Sequence, residues 1–141
     1  MKPYIYLPHT ADAKFRAYGK SLEEAFANAA YAMTDIITDI RKIKSTAKQN
    51  ISIHSEDEKA LLYDFLEKLL ILLDTKGFLL SKITQIKIKK NRDKSLSLTA
   101  SLTGDNYKGY ETKTTIKAVT YQEMLIDQKR GKFVVQVIVD I

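Results

Sequence analysis

The sequence predicts an α+β fold in two layers, with two helices packed on one face of a mostly antiparallel sheet, in a single domain over residues 1–141. Three observations lead there. Two stretches carry apolar residues at helical spacing, each opened by a Ser-x-x-Glu cap signature. After Gly77 the apolar pattern changes from helical spacing to alternation. The polar stretches NRDK and QKRGK then separate alternating runs, as hairpin turns do. Each helix has a single apolar stripe, and a sheet is the economical way to cover both.

The elements follow in order. DAKFRAY, residues 12–18, puts Ala13, Phe15 and Ala17 on one face and Asp12, Lys14, Arg16 and Tyr18 on the other, the pattern of a half-buried strand. Ser21 with Glu24 caps a first helix whose stripe runs from Leu22 through Phe26, Ala29 and Met33 to Ile40. QNISIH, residues 49–54, is a short strand. Ser55 with Glu58 caps a second helix through Leu61, Leu62, Phe65, Leu66, Leu69, Leu70 and Leu73, and Gly77 ends it. TQIKIKK, SLSLTASL, TTIKAVTYQEMLI and KFVVQVIV complete the strands. In the last run both faces are mainly apolar, which places it well inside the sheet. It is a candidate neighbour of the strand that holds Asp12, although alternation alone does not fix that pairing.

Composition narrows the function classes. There is no cysteine, so disulfides and thiolate metal sites are excluded, and a reducing cytoplasm is the expected compartment. The N-terminus lacks the apolar core of a secretory signal, and the longest apolar run, near Leu69–Leu73, is far too short to cross a bilayer, so no membrane partner is expected. The formal charge of +6 is unevenly placed: residues 1–40 hold four basic and five acidic side chains, the remainder nineteen and twelve. A basic body suits RNA or an RNA-bound partner, and equally a solvated, aggregation-resistant surface. Lys87, Lys89, Lys90 and Arg92 form the densest basic stretch.

Near the start, PHTAD places His9, Thr10 and Asp12 on the rim between two extended segments; near the end, Asp140 breaks the apolar pattern of VVQVIVDI, and Ile141 follows it. Should the two strands pair, two carboxylates and a nearby terminal or backbone oxygen form an incomplete oxygen shell for a hard divalent cation. His9 is then a ligand, a hydrogen-bond donor to a ligand, or a cap for backbone groups. No glycine-rich phosphate loop, G-x-S-x-G or H-E-x-x-H motif occurs, and His9 and His54 are the only histidines. The chain therefore offers little raw material for acid–base catalysis of its own.

HTADAKFRAYGKSLEEAFANAAYAM closely resembles the opening signature of the archease family. DEKALLYDFLEKLL is similar to that family's central leucine-rich helix, IKAVTYQ to its K-A-V-T-Y-H, and VIVDI to its acidic end. The resemblance runs nearly the whole length in the family's order. It implies a non-enzymatic accessory protein of tRNA processing, which activates a GTP-dependent RNA ligase of the RtcB type by promoting its guanylylation and repeated turnover. Some members are assigned a chaperone-like role toward tRNA cytosine-5 methyltransferases. Contact with tRNA is then expected chiefly through the partner enzyme. The resemblance further implies a divalent metal site of Asp12, Asp140 and the backbone of Ile141, for calcium, with magnesium or manganese as the alternatives, and roles for Lys117 and His9. Three positions depart from the pattern: Gln122 stands where the family often has histidine, Phe65 for the common tryptophan and Glu67 for the common asparagine.

Overall fold

The protein is described by a computed structural model over residues 2–141. Strands β1 (Tyr4–Leu7) and β2 (Asp12–Gly19) lead into helix α1 (Leu22–Ile37). A 3-10 turn, Ile40–Lys42, precedes β3 (Ala47–Ser55), and helix α2 (Glu58–Lys76) follows. The chain closes with β4 (Phe78–Lys90), β5 (Leu96–Asn106), β6 (Ala118–Val119), β7 (Leu125–Lys129) and β8 (Lys132–Asp140). Every strand pair is antiparallel, and the class is the α+β one predicted.

The strands hydrogen-bond as two sheets. One has the order β1-β2-β8-β6, with β7 also on β8; the other is β3-β5-β4. Strand β8 sits inside the first, which explains why both of its faces are apolar. Phe15, Ala17, Val135, Val137 and Val139 turn one face of this sheet to the core, and Ile51, Leu98, Ala100 and Leu102 do the same for the second sheet. Both helices reach both sheets: α1 lies on β2, β8 and β4, and α2 on β3, β4, β5 and β6. Phe26 of α1 stacks on Phe65 of α2 with centroids 6.2 Å apart, a contact worth about 1 kcal/mol beyond area burial. Phe65 thus supplies apolar fill between the two helices, and it is fully buried.

The helix ends show which cap signals operate. The Ser21 hydroxyl accepts from the Glu24 N–H at 3.1 Å, as the first box requires, but Glu24 reaches back to the Lys20 N–H rather than to Ser21 itself. Ile40 falls beyond the helix, in the 3-10 turn. The second box is a correction. Asp57, not Ser55, caps α2 by accepting from the Ala60 N–H at 2.8 Å, because Ser55 is still in β3, paired with Leu96. Its hydroxyl instead donates to Asp64 at 2.6 Å. Gly77 ends α2 with φ of 65°, a left-handed conformation that glycine adopts without Cβ strain.

TTIKAVTYQEMLI is not one strand. Only Ala118–Val119 and Leu125–Lys129 pair with β8, and residues between them fold out of the ladder. The QKRGK hairpin closes through Arg130 and Gly131, both at positive φ, which suits the right-handed twist of β7 and β8.

Two predictions follow from this frame. A Cβ at Gly104 would overlap the Leu79 carbonyl on the neighbouring strand, so Gly104→Ala should cost about 3 kcal/mol or more of unfolding free energy in denaturant titration. The Asp105 carboxylate accepts from Thr46 and Tyr110 hydroxyls, each at 2.6 Å, and these bonds hold its pKa below the ordinary 3.8. A depressed folded pKa contributes stability above the unfolded value and loses it as pH falls through the folded one. Asp105→Asn should therefore lower the melting temperature near neutrality, and the gap from wild type should close as the pH drops below about 4.

Candidate functional site

The register of β2 against β8 fixes the rim. Ala13 pairs with Val139, Phe15 with Val137 and Ala17 with Val135, so the buried faces of both strands coincide. The same register puts Asp12 directly opposite Asp140. Side chains directly opposite in an antiparallel pair leave the same face, with Cβ atoms about 5 Å apart. On its other edge Asp140 pairs with Ala118, and its carbonyl accepts from the Lys117 N–H at 2.7 Å. Strands from residues 12, 118 and 140 thus meet at one point, with the Ile141 backbone adjoining.

Approach to that point is sharply turned. Ala11 has φ of 66°, in the left-handed region that a side chain disfavours, and it swings the chain from the His9–Thr10 segment into β2. This brings the His9 ring back toward Asp12: Nδ1 lies 3.7 Å from the Asp12 carboxylate and Nε2 lies 3.5 Å from Glu123. Nδ1 is buried and has no hydrogen-bond partner. His9 is not capping backbone, contrary to one sequence expectation, and a buried polar nitrogen without a partner is costly. Thr10 is exposed and joins the rim only as part of the turn.

Glu123 is the residue that the sequence reading missed. It belongs to the excursion between β6 and β7, with φ of 52°. One carboxylate oxygen accepts from Lys14 at 3.0 Å, and its carbonyl accepts from the Gln136 amide at 2.8 Å. The Gln136 side-chain oxygen in turn accepts from Arg16 Nε at 2.8 Å. Lys14, and to a lesser degree His9, hold the Glu123 carboxyl below the usual glutamate range. The sequence held a signal for the excursion, though none for Glu123 itself. Val119 and Met124 are both buried but an odd number of positions apart, so a single strand could not turn both inward. Tyr121, on the same excursion, stacks on Tyr63 of α2 with ring centroids 4.4 Å apart.

These pairings leave the two opposed aspartates without a cationic partner other than His9: Lys14 is taken by Glu123, and Asp140 forms no ion pair among the described residues. Lys117 is exposed, and its side chain is likewise in no ion pair there. Gln122 is exposed and donates its N–H to the Thr120 hydroxyl at 3.3 Å. Among the described residues no group of three His, Cys, Asp or Glu side chains is arranged to hold a metal. A cation at the rim would therefore draw on two carboxylates, main-chain oxygens at Ile141 and water, an all-oxygen set of the kind calcium, magnesium and manganese take. The donor chemistry fits, and the unpartnered Nδ1 of His9 can orient Asp12 or a bound water.

His54, Ser95 and Asp93 also meet, at the β4–β5 turn. Ser95 Oγ donates to Asp93 at 2.5 Å and lies 2.9 Å from His54 Nε2. With the hydroxyl proton committed to a carboxylate, and the histidine not backed by one, this is a turn lock and not a nucleophile–base pair.

Like charges directly opposite in a ladder are destabilising, which predicts a measurable relief. In chelator and low salt, Asp12→Asn should raise the melting temperature by a degree or two. Added calcium should raise the melting temperature of the wild type and leave that of Asp12→Asn nearly unchanged.

Comparisons with known proteins agree with this architecture. The model of the Archease protein family (MTH1598/TM1083) matches residues 4–141. The archease of Methanothermobacter thermautotrophicus is 40% identical over 142 residues, covering all of both chains, and that of Pyrococcus abyssi is 36% identical over 144 residues, again in full. The solution structure of Methanobacterium thermoautotrophicum protein 1598 superposes with a TM-score of 0.85 at 36% identity and full coverage of both chains. The crystal structure of a Thermotoga maritima archease, described as a possible chaperone, shares the fold at TM-score 0.63 and 20% identity, over 96% of this chain and 94% of that one. With a family model spanning nearly its whole length and full-length relatives at this identity, the chain belongs to the archease family.

Proposed function

We propose that this protein is an accessory factor of tRNA processing that activates an RtcB-type GTP-dependent RNA ligase, favouring its guanylylation and repeated turnover, in the cytoplasm. The observation that carries the reading is the direct opposition of Asp12 and Asp140 beside the Ile141 backbone. The partner is the one that the sequence resemblance implies.

On this reading Asp12, Asp140 and Ile141 hold a divalent cation, with calcium favoured by an open, flexible oxygen set and magnesium or manganese as alternatives. When bound, the cation supplies charge neutralisation of the kind that nucleotidyl transfer needs. The chain's own residues do the rest. His9 holds the orientation of Asp12. Glu123 keeps the Lys14 ammonium away from the aspartate pair, so that the site stays acidic on a basic body. Lys117, held at the rim by its backbone bond to Asp140, presents its ammonium to the partner or to a nucleotide phosphate. An activator role suits a rim that carries metal ligands and charge.

A second reading is a chaperone-like modulator of a tRNA cytosine-5 methyltransferase; the Thermotoga maritima relative's description as a possible chaperone favours it. The two separate in one experiment. Ligation of tRNA halves is followed with ligase limiting, with and without this protein. Wild type should convert a single-turnover ligase into a multiple-turnover one, while Asp12→Ala and Asp140→Ala remain folded and lose the stimulation. Full stimulation by both variants overturns the metal-rim reading. No stimulation by wild type, together with suppressed methyltransferase aggregation, selects the second.

A further inference from the structure

The second sheet turns its core face to the helices and leaves the other face open. The register lists what that open face carries in rows across β3, β5 and β4. Asn50, Ser101 and Gln85 form one row; Ser52, Thr99 and Lys87 the next; His54, Ser97 and Lys89 a third. Lys48, Thr103 and Lys82 form a fourth. The middle strand is thus a column of hydroxyls, with amides and lysines on either side.

Charge on this sheet is almost entirely of one sign. Its strands contain Lys48, Lys82, Lys87, Lys89 and Lys90, and a single carboxylate, Asp105. That carboxylate lies at the far end of β5 and is occupied by Thr46 and Tyr110. None of the five lysines is in an ion pair among the described residues. Lysines often guard a sheet edge from pairing with other chains. Here that edge is already covered: Tyr31 of α1 accepts from the Ile83 N–H at 2.9 Å, and Glu23 from the Ile88 N–H at 3.4 Å. The lysines of β4 are therefore free for another role. A shallow depression of about 360 Å³, lined by Asn50, Ser52, Gln85, Thr99 and Ser101 among others, lies between the two lysine-bearing strands.

From this we infer that the open face of the β3-β5-β4 sheet is a binding surface for the sugar–phosphate backbone of RNA. Unpaired ammonium groups take phosphates and release counterions. Thr103 already donates to Ser45, so it is the Ser97, Thr99 and Ser101 hydroxyls with the flanking amides that donate to phosphate oxygens and exchange hydrogen bonds with ribose 2′-hydroxyls, which DNA lacks. No Phe, Tyr or Trp stands in these rows, and His54 is the one ring at their end, so the surface reads chiefly backbone shape and not a run of stacked bases. It belongs to the other sheet from the acidic rim and does not depend on the rim's metal. It would add direct RNA contact to the contact expected chiefly through the partner enzyme.

The test is anisotropy titration of a fluorescein-labelled RNA hairpin between about 50 and 200 mM salt, where phosphate contacts lose affinity steeply. Wild type should bind at the low end, with a steep salt slope. Lys87→Ala with Lys89→Ala should flatten the log–log slope by about 1 per lysine. The control pair Lys59→Ala with Lys76→Ala, both exposed on α2, should leave it unchanged. Thr99→Val should weaken binding several-fold with the slope intact, because it removes a hydrogen bond and no charge. Absence of RNA binding by wild type overturns the inference, as do equal losses from the two lysine pairs or unchanged affinity in Thr99→Val. Equal affinity for a DNA hairpin of the same sequence overturns the assignment to RNA.

Discussion

The pairing of β2 with β8 is the constraint on which the rest depends. Its register is set by burial: Phe15, Ala17, Val135, Val137 and Val139 must all turn to the core, and a slip by one residue would turn every one of them to solvent. The strands come from opposite ends of the chain, so the loop between them is nearly the whole protein. The hydrophobic faces repay that closure entropy, and the polar consequence comes with it. Once Val139 is opposite Ala13, Asp140 is opposite Asp12, and two negative charges share one rim. The apolar core thus imposes an electrostatic arrangement that, among the described residues, only the His9 ring 3.7 Å from Asp12 offsets.

The surroundings are arranged to preserve that tension. Lys14 leaves β2 two residues from Asp12, on the same face, and would be a natural counter-ion for it. It pairs instead with Glu123, which is delivered by a segment that leaves the β8 ladder and returns to it. Gln136, though buried, is satisfied on both sides, by Arg16 and by the Glu123 carbonyl. The buried Nδ1 of His9 is left without a hydrogen-bond partner. Left-handed backbone at Ala11 and Glu123, two residues with side chains, marks the turns that make this possible. Strained backbone, an unsatisfied nitrogen and unneutralised like charges at one rim each cost stability, and together they are the pattern of a site shaped for something other than folding.

Much of this was legible before any coordinates. The alternation of DAKFRAY and of FVVQVIVD gives the correct inward faces, and the helical stripes give most of the core, because burial at regular spacing is what periodicity records; they miss Ala32 and Leu72, which are buried, and include Leu70 and Leu73, which are only partly so. What it could not give is set by tertiary competition. Ser55 has the form of an N-cap, but its pairing with Leu96 holds it in β3, so the role passes to Asp57. The stretch from Thr114 to Ile126 alternates enough to pass for a strand, yet its contribution at the rim comes from the residues that leave the strand. The division into two sheets was also hidden, since a strand's pattern states which face is buried and not which neighbour it bonds to. At the rim, Asp12 and Asp140 were readable as chemistry-bearing exceptions to apolar patterns. Glu123 was not, because a glutamate among polar residues breaks no visible rule.

The rim of the first sheet and the open face of the second carry opposite charge, although the strands of the first sheet as a whole mix both signs. On the first, carboxylates gather where strands meet, and the nearest ammonium is diverted; on the second, lysines line an open face with a single, already occupied aspartate. A protein selected only for solubility would intermix the signs, since mixed surfaces avoid both self-repulsion and non-specific attraction. Segregation lowers stability slightly and gives each surface a field of its own. An acidic rim alone would be repelled by the phosphates around any RNA-bound enzyme. Carried on a body whose other sheet is basic, it can be brought to such a place and still present its oxygens to a cation.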